Sequence, residues 1–331
     1  VNVKKKWFFN SIEILQLPCM VGCKLCLNPA SDLKGMFLLN GEKVIVPQER
    51  MKNNTPITYP GSGRYDHCLE YRSAHFKIRS SSTMYLHSRH WEMVIYVPFL
   101  LGTCQVKIPV VAFLKLLGLE NEDDVEKFID LVMSFGCPDD KFEHYIRRFL
   151  YDEKFWTMSK DDVFNMYRAK CVPRDNDTIT QTLNNEFLPH TKEKLKVLAF
   201  CVNSLAKVQC NYMTPEDRDS HISKRVETPG MTMAILLRQL YRAQMKETCK
   251  LLIRHITTDK PIQPTNIFGL KRIYNGIVHS IKTGNFSVRQ ASTSMQGISQ
   301  SLSNFNSLAK ISHLRRISTP RTLLSLEQLT A

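Results

Sequence analysis

The spacing of apolar positions divides the chain into extended and helical stretches. Around Met36-Phe37-Leu38-Leu39-Asn40-Gly41-Glu42-Lys43-Val44-Ile45-Val46, two short apolar runs flank Asn-Gly. That dipeptide tolerates the left-handed angles of a tight turn, so a hairpin is predicted over 35–46. Residues 65–110 read as largely extended. Val106-Lys107-Ile108-Pro109 leads into a helix over roughly 109–117, stopped by Gly118. Residues 120–170 are predicted helical, and Ser159-Lys160-Asp161-Asp162 has the form of an N-cap followed by acidic first-turn residues. A helix follows over 192–208. The longest helical pattern opens at Thr228-Pro229-Gly230. In it Met233, Leu237, Tyr241, Met245, Cys249, Leu252 and Ile256 recur at three- or four-residue steps, predicting one buried stripe. Pro261 and Pro264 break that pattern. A further helix is expected over 266–282, and after Gly284 the order is loop, helix, loop.

The length, 331 residues, exceeds one typical core and implies more than one domain of α+β type. Charge sharpens this division. The formal net charge is +14, yet 120–140 is acidic. From Thr265 onward the cations Lys271, Arg272, Lys282, Arg289, Lys310, Arg315, Arg316 and Arg321 face a lone Glu327. Such a segment calls for a polyanion or an acidic partner. The run Val94–Leu101 contains Pro98 and is too short to span a bilayer. The chain starts at Val1-Asn2-Val3-Lys4 with neither a signal-peptide apolar core nor an initiator Met, so an intracellular setting inside a longer protein is expected. The ten cysteines read as reduced thiols.

Candidate chemistry is sparse. Cys19-x-x-x-Cys23-x-x-Cys26 holds one Cys-x-x-Cys; zinc needs four ligands, usually as two such pairs, and buried free thiols are the expectation. His87 and His90 with Glu92 share a metal-like spacing but fall in an extended stretch, and read as surface histidines. Gly61-Ser62-Gly63-Arg64 lacks the Gly-Lys-Ser/Thr ending of a phosphate loop. Asp217-Arg218-Asp219 through Lys224-Arg225 reads as a solvated ion-pair network. No nucleophile-elbow set and no paired carboxylates in apolar surroundings are present. Arg289, Gln296, Gln300, Asn304, His313, Arg315 and Arg316 are different: amides and cations of these kinds bond phosphates, sugars and base edges.

Taken in order, several blocks resemble the second-largest, β-like subunit of multisubunit DNA-dependent RNA polymerases. Leu17-Pro18-Cys19-Met20-Val21 through Leu25-Cys26 is similar to the family's IP-MV-S-LC block, and Gly35 through Met51 to GGYFIINGSEKVLIAQERM. Glu70-Tyr71-Arg72-Ser73, Ile108-Pro109-Val110 and Leu188-Pro189-His190 match further landmarks. Asp217 through Gly230 is similar to DRDxYxNKRxxxxG in forms seen in large DNA viruses. Gly284-Asn285-Phe286 and Gly297-Ile298-Ser299-Gln300 to Pro320 resemble GNWG…GVSQVLNR…STLSHLRRxNTP, with Phe305 where the pattern has Arg.

The resemblance implies a mixed protrusion (1–50 and 216–283), an inserted, largely helical lobe (51–215) and the helical start of the fork (284–331). It implies a fragment of a nucleotidyltransferase that transcribes DNA into RNA. Gln300, Asn304, His313, Arg315 and Arg316 would face nucleic acid, with Arg289 and Gln296 in the first fork loop. Partners would be DNA, the RNA–DNA hybrid, the largest subunit and other subunits, with no membrane. This chain would hold no cofactor; magnesium would sit in the full complex, mainly on the largest subunit. The setting would be a nucleus, a viral factory or a virion. The competing expectation is a relic or assembly module whose basic tail binds partner subunits. A third is an autonomous zinc protein.

Overall fold

The computed structural model describes residues 17–27, 34–39, 42–61, 63–75, 79–97, 100, 107–119, 121–150, 158–168, 176–258, 271–286 and 297–319. They form a mixed helix-and-strand fold in two compact units. One comprises the described residues of Val1–Glu49 and Val226–Thr319, the other those of Arg50–Arg225.

The second unit is organised by an antiparallel meander of five strands in chain order, Pro56–Pro60, His67–His75, Arg79–Arg89, Glu92–Tyr96 and Ile108–Pro109. Its register lines up Leu69, Leu86, Ile95 and Ile108 across four neighbouring strands, all fully buried. The predicted helix after Pro109 is Val110–Leu116, and every one of its residues is buried. The helical region beyond resolves into Glu122–Met133, Asp140–Leu150, Lys160–Arg168, Asn176–Glu186 and Lys194–Gln209. At Ser159 the expected cap is reciprocal. The Asp162 N–H donates to Ser159 Oγ at 3.2 Å, and the Ser159 N–H donates to the Asp162 carboxylate at 3.0 Å.

Two expectations change in this unit. The sheet is buried on both faces, so His87 is not a surface residue. Its Nδ1 lies 2.9 Å from Cys68 Sγ, and burial pushes its pKa down to about 3. Nor is Arg218 solvated. Its Nε and Nη2 each lie 3.2 Å from Glu70 Oε2, and its guanidinium sits over the Tyr59 ring. The Glu70 side chain is only 5% exposed. Burial raises the Glu70 pKa, with Arg218 opposing the rise.

The first unit contains the predicted hairpin: Met36–Leu38 pairs antiparallel with Glu42–Ile45, with Leu38 opposite Glu42. The turn residues Asn40 and Gly41 lie outside the described residues. Ser299–Ser301 adds a third strand on the other edge of Glu42–Ile45. Phe37 and Ile45 face a core with Leu236, Ile273, Ile277 and Ile281, while Met36 and Val44 pack on Leu302 from the opposite side. The long helix spans Pro229–Thr257, with Pro229 at its first turn. Its buried residues are Thr232, Leu236, Gln244 and Thr248, one position before the predicted stripe, and Tyr241 is 53% exposed. One residue is a rotation of about 100°. The reason lies in the partner helix Lys271–Thr283: Gly276 leaves room for Leu240, whose Cδ2 would be 2.7 Å from a Cβ added there. The helix thus seats on Leu236 and Leu240 with polar Thr232, Gln244 and Thr248, a face that hydropathy alone does not mark.

Candidate nucleic-acid interface

The segment 297–319 is held along its whole length. At its start the Ile298 N–H donates to the Gly284 carbonyl at 3.3 Å. Gly284 has φ +74°, and a Cβ there would lie 2.6 Å from the Ser299 carbonyl oxygen, so only glycine fits. Ser299 Oγ donates to the Ile281 carbonyl at 2.6 Å, and Lys43 Nζ donates to Ser301 Oγ at 2.8 Å. Asn306 Oδ1 accepts the Ala309 N–H at 2.7 Å and caps the helix Ser307–Leu314. Lys310 forms an ion pair with Glu42 at 3.2 Å. Beyond the helix, the Ser318 N–H donates to the Pro47 carbonyl at 2.9 Å. The Glu49 N–H donates to the Ser318 carbonyl at 2.8 Å. Thr319 Oγ1 adds a bond to the Glu49 carboxylate at 2.7 Å.

His313 is the hub of this arrangement. It is 7% exposed, and both ring nitrogens are committed within the chain. Nδ1 accepts the Ser303 N–H at 3.0 Å, which leaves Nε2–H to donate to Gln300 Oε1 at 3.1 Å. Gln300 Nε2 in turn donates to the Gly297 carbonyl at 3.1 Å. Burial, and then the nearby Arg316 charge, push the His313 pKa down. The imidazole is therefore neutral at neutral pH, and it fixes the helix against the edge strand.

Arg315 and Arg316 follow directly. The Arg315 N–H closes the helix on the Ile311 and Ser312 carbonyls, both at 3.2 Å, and that carbonyl end favours cations. Both side chains are exposed and, with Leu308, Ile311 and Ser312, line an open depression. Neither makes an ion pair among the described residues.

No family model matches the chain. Curated relatives do. It is 26% identical over 313 residues to "DNA-directed RNA polymerase II subunit RPB2" of Meyerozyma guilliermondii, covering 87% of this chain and 25% of that protein. It is 27% identical over 310 residues to the protein of that name in Encephalitozoon cuniculi, covering 87% and 26%. With "DNA-directed RNA polymerase subunit 2" of Acanthamoeba polyphaga mimivirus it shares 21% over 370 residues, covering 97% and 30%. Its homologues are second-largest subunits of DNA-directed RNA polymerases. The chain spans about a quarter of the length of the two fungal relatives.

Within this polymerase-related chain, the structure sorts the seven residues singled out from the sequence. Arg289 and Gln296 lie outside the described residues. Gln300 and His313 come together as internal scaffold. Asn304, Arg315 and Arg316 are exposed. Sequence reading passed over Asn306, although Asn before an apolar run is a helix-start signal. Phe305 stood out only as a departure from the family pattern, and Leu308, Ile311 and Ile317 not at all; together they put an exposed apolar surface beside the arginines, with Phe305 93% exposed. The cysteines differ from expectation too. Cys19 is exposed, and its Sγ lies 3.3 Å from Cys23 Sγ, a contact that pushes the Cys19 thiol up to about 11. Among the described residues, no three His, Cys, Asp or Glu side chains gather as a metal site. No described helix is long and apolar enough to cross a membrane.

Proposed function

We propose that this chain is part of the second-largest subunit of a DNA-directed RNA polymerase and that Arg315 and Arg316 hold nucleic acid where the strands separate. The protrusion, lobe and fork would be 1–50 with 216–283, 51–215, and 284–331. The observation that carries the reading is the presentation, from an anchored backbone, of two exposed guanidiniums with no ion pair among the described residues, beside an open depression, in a chain whose homologues are polymerase subunits. Guanidiniums bond phosphate oxygens in a bidentate fork, and a fixed backbone spares the ordering cost of that contact. Gln300 and His313 act here as positioning residues, and Asn304 adds an exposed amide.

The full enzyme would transfer nucleotides with magnesium held mainly by the largest subunit, the metal stabilising attacking and leaving oxygens. This chain alone would be inactive, and nucleotide incorporation by the isolated chain would refute that. Partners would be DNA, the RNA–DNA hybrid and the other subunits, in a nucleus or a viral compartment.

A second reading, an assembly module, draws on the exposed Phe305, Leu308, Ile311 and Ile317, because apolar surface of this kind marks protein contacts. The double reversal Arg315→Glu/Arg316→Glu in the assembled polymerase separates the two. Loss of DNA crosslinking with subunit association intact supports the nucleic-acid reading. Failed association with normal crosslinking in the residual complex supports the assembly reading.

A further inference from the structure

The long helix Pro229–Thr257 carries a second feature that the interface above does not use. Arg238, Arg242, Lys246, Lys250 and Arg254 recur at every fourth position, and all five are exposed. The buried residues Leu236, Gln244 and Thr248 also fall on a four-residue ridge, together with the half-buried Leu240. Two residues, about 200° of rotation, separate the ridges. The cations therefore occupy the side of the helix away from its core. Consecutive cations lie about 6 Å apart along the axis, and the five span about 24 Å.

The helix itself supplies almost no counter-charge. Glu247 is the lone carboxylate between Pro229 and Thr257, and its partner is Arg272 on the neighbouring helix. Like charges four apart oppose helix formation, so the ladder works against the element that carries it. A single surface cation is ordinary; five in strict register, with Glu247 the one carboxylate among them and paired to Arg272, are better matched to a regular line of negative charge.

We propose that this ridge is a docking surface for the phosphate backbone of duplex DNA, separate from the Arg315–Arg316 site and independent of the function assigned to it. A protein groove would recognise apolar anchors three and four residues apart, and the ridge positions are all cationic. A nucleic-acid strand instead offers one charge per about 3.4 Å of its axis, with no apolar requirement. The ridge winds about 40° per step, so one strand meets the central Arg242, Lys246 and Lys250 best.

The test is binding of a labelled 30-base-pair duplex of arbitrary sequence to the full 331-residue chain, read by anisotropy between 50 and 200 mM salt. The comparison is Arg242→Ala/Lys246→Ala/Lys250→Ala, with Arg315→Ala/Arg316→Ala in parallel. Alanine is a strong helix former, and circular dichroism checks that the helix persists; the Gln triple variant serves if it does not. Three phosphate contacts contribute a slope of about 2.7 in log K against log salt, so the triple variant should lose about 40-fold less affinity than wild type across that range. Parallel slopes, or no duplex binding by wild type at 50 mM salt, overturn the proposal. So does a triple variant that loses binding to polyglutamate but keeps its DNA affinity, since the ridge would then serve an acidic protein. If only the Arg315/Arg316 variant weakens binding, the ridge proposal fails and the function above stands; if only the triple variant does, the reverse holds.

Discussion

Replacing His313 by Ala removes the clamp beneath the arginines and leaves the arginines themselves in place. Two bonds are lost, from the Ser303 N–H at 3.0 Å and to Gln300 Oε1 at 3.1 Å. Each is worth about 0.5–1.5 kcal/mol net, and more where water cannot reach the abandoned partner. The helix Ser307–Leu314 and the edge strand should thus lose about 1–3 kcal/mol of local stability. In native-state hydrogen exchange read by mass spectrometry, that is roughly a 5- to 150-fold loss of protection over 299–314, at 1.4 kcal/mol per tenfold. The sign of the pH effect follows from the lowered pKa of the folded imidazole. An unfolded His titrates near 6.5 and binds more protons than the folded one just below that value. The clamp's contribution is therefore complete above about pH 6.5 and fades as pH falls toward the depressed folded value, because protonated Nδ1 cannot accept from Ser303. DNA crosslinking at Arg315 should decline in step with the lost protection. Unchanged exchange over 299–314 in His313→Ala, or wild-type protection that stays flat from pH 7.5 to 5, would refute the hub assignment.

Two further outcomes are expected. Arg218→Ala strands the buried Glu70 carboxylate and should cost about 3–5 kcal/mol, whereas Glu70→Leu/Arg218→Met should be close to neutral; exchange of the 67–73 amides measures both. His87, held near pKa 3 by burial, is neutral when folded, so its contribution is full above about pH 6.5 and erodes below it, by about 2 kcal/mol at pH 5. His87→Leu should flatten the acid limb of urea unfolding followed at Trp91, and an acid limb as steep as wild type would count against the assignment.

What the sequence made legible was local. Asn-Gly marked the hairpin, Pro109 and Gly118 bracketed a helix, and Ser159 announced a cap, because each acts through neighbouring residues. What escaped was long-range or polar. Ser299–Ser301 is too short and too polar to read as a strand, and it exists because Glu42–Ile45, some 250 residues earlier, offers an open edge. The Arg218–Glu70 pair joins residues 148 apart, so the charge cluster looked solvated. His87 reads from sequence as a surface histidine of an extended stretch, but strand residues on both faces of this sheet are buried. At the candidate site, the exposure of Arg315 and Arg316 follows from charge, but the scaffold role of His313 does not. A histidine among arginines and amides looks like another ligand until both nitrogens are traced.

The two cationic features of the first unit differ physically in ways that bear on their use. Arg315 and Arg316 leave a backbone fixed by the helix cap on one side and by Ser318 on the other. Contacts made there would discriminate position, because a strand displaced by one phosphate finds no further cation in register to replace the pair. The helix ridge is a repeat. Sliding by one step exchanges one cation for the next with little loss, and Lys and Arg stems on an open face adapt to the remainder. A repeating, adaptable surface suits capture and retention of a polyanion irrespective of sequence, with steep salt dependence. A fixed pair suits holding one strand at one point. If both assignments hold, raising salt should release duplex from the ridge before it removes crosslinks at Arg315. Crosslinks at Arg315 that vanish at the salt where bulk affinity is still high would show the pair to be the looser of the two contacts, and the division of labour would be reversed.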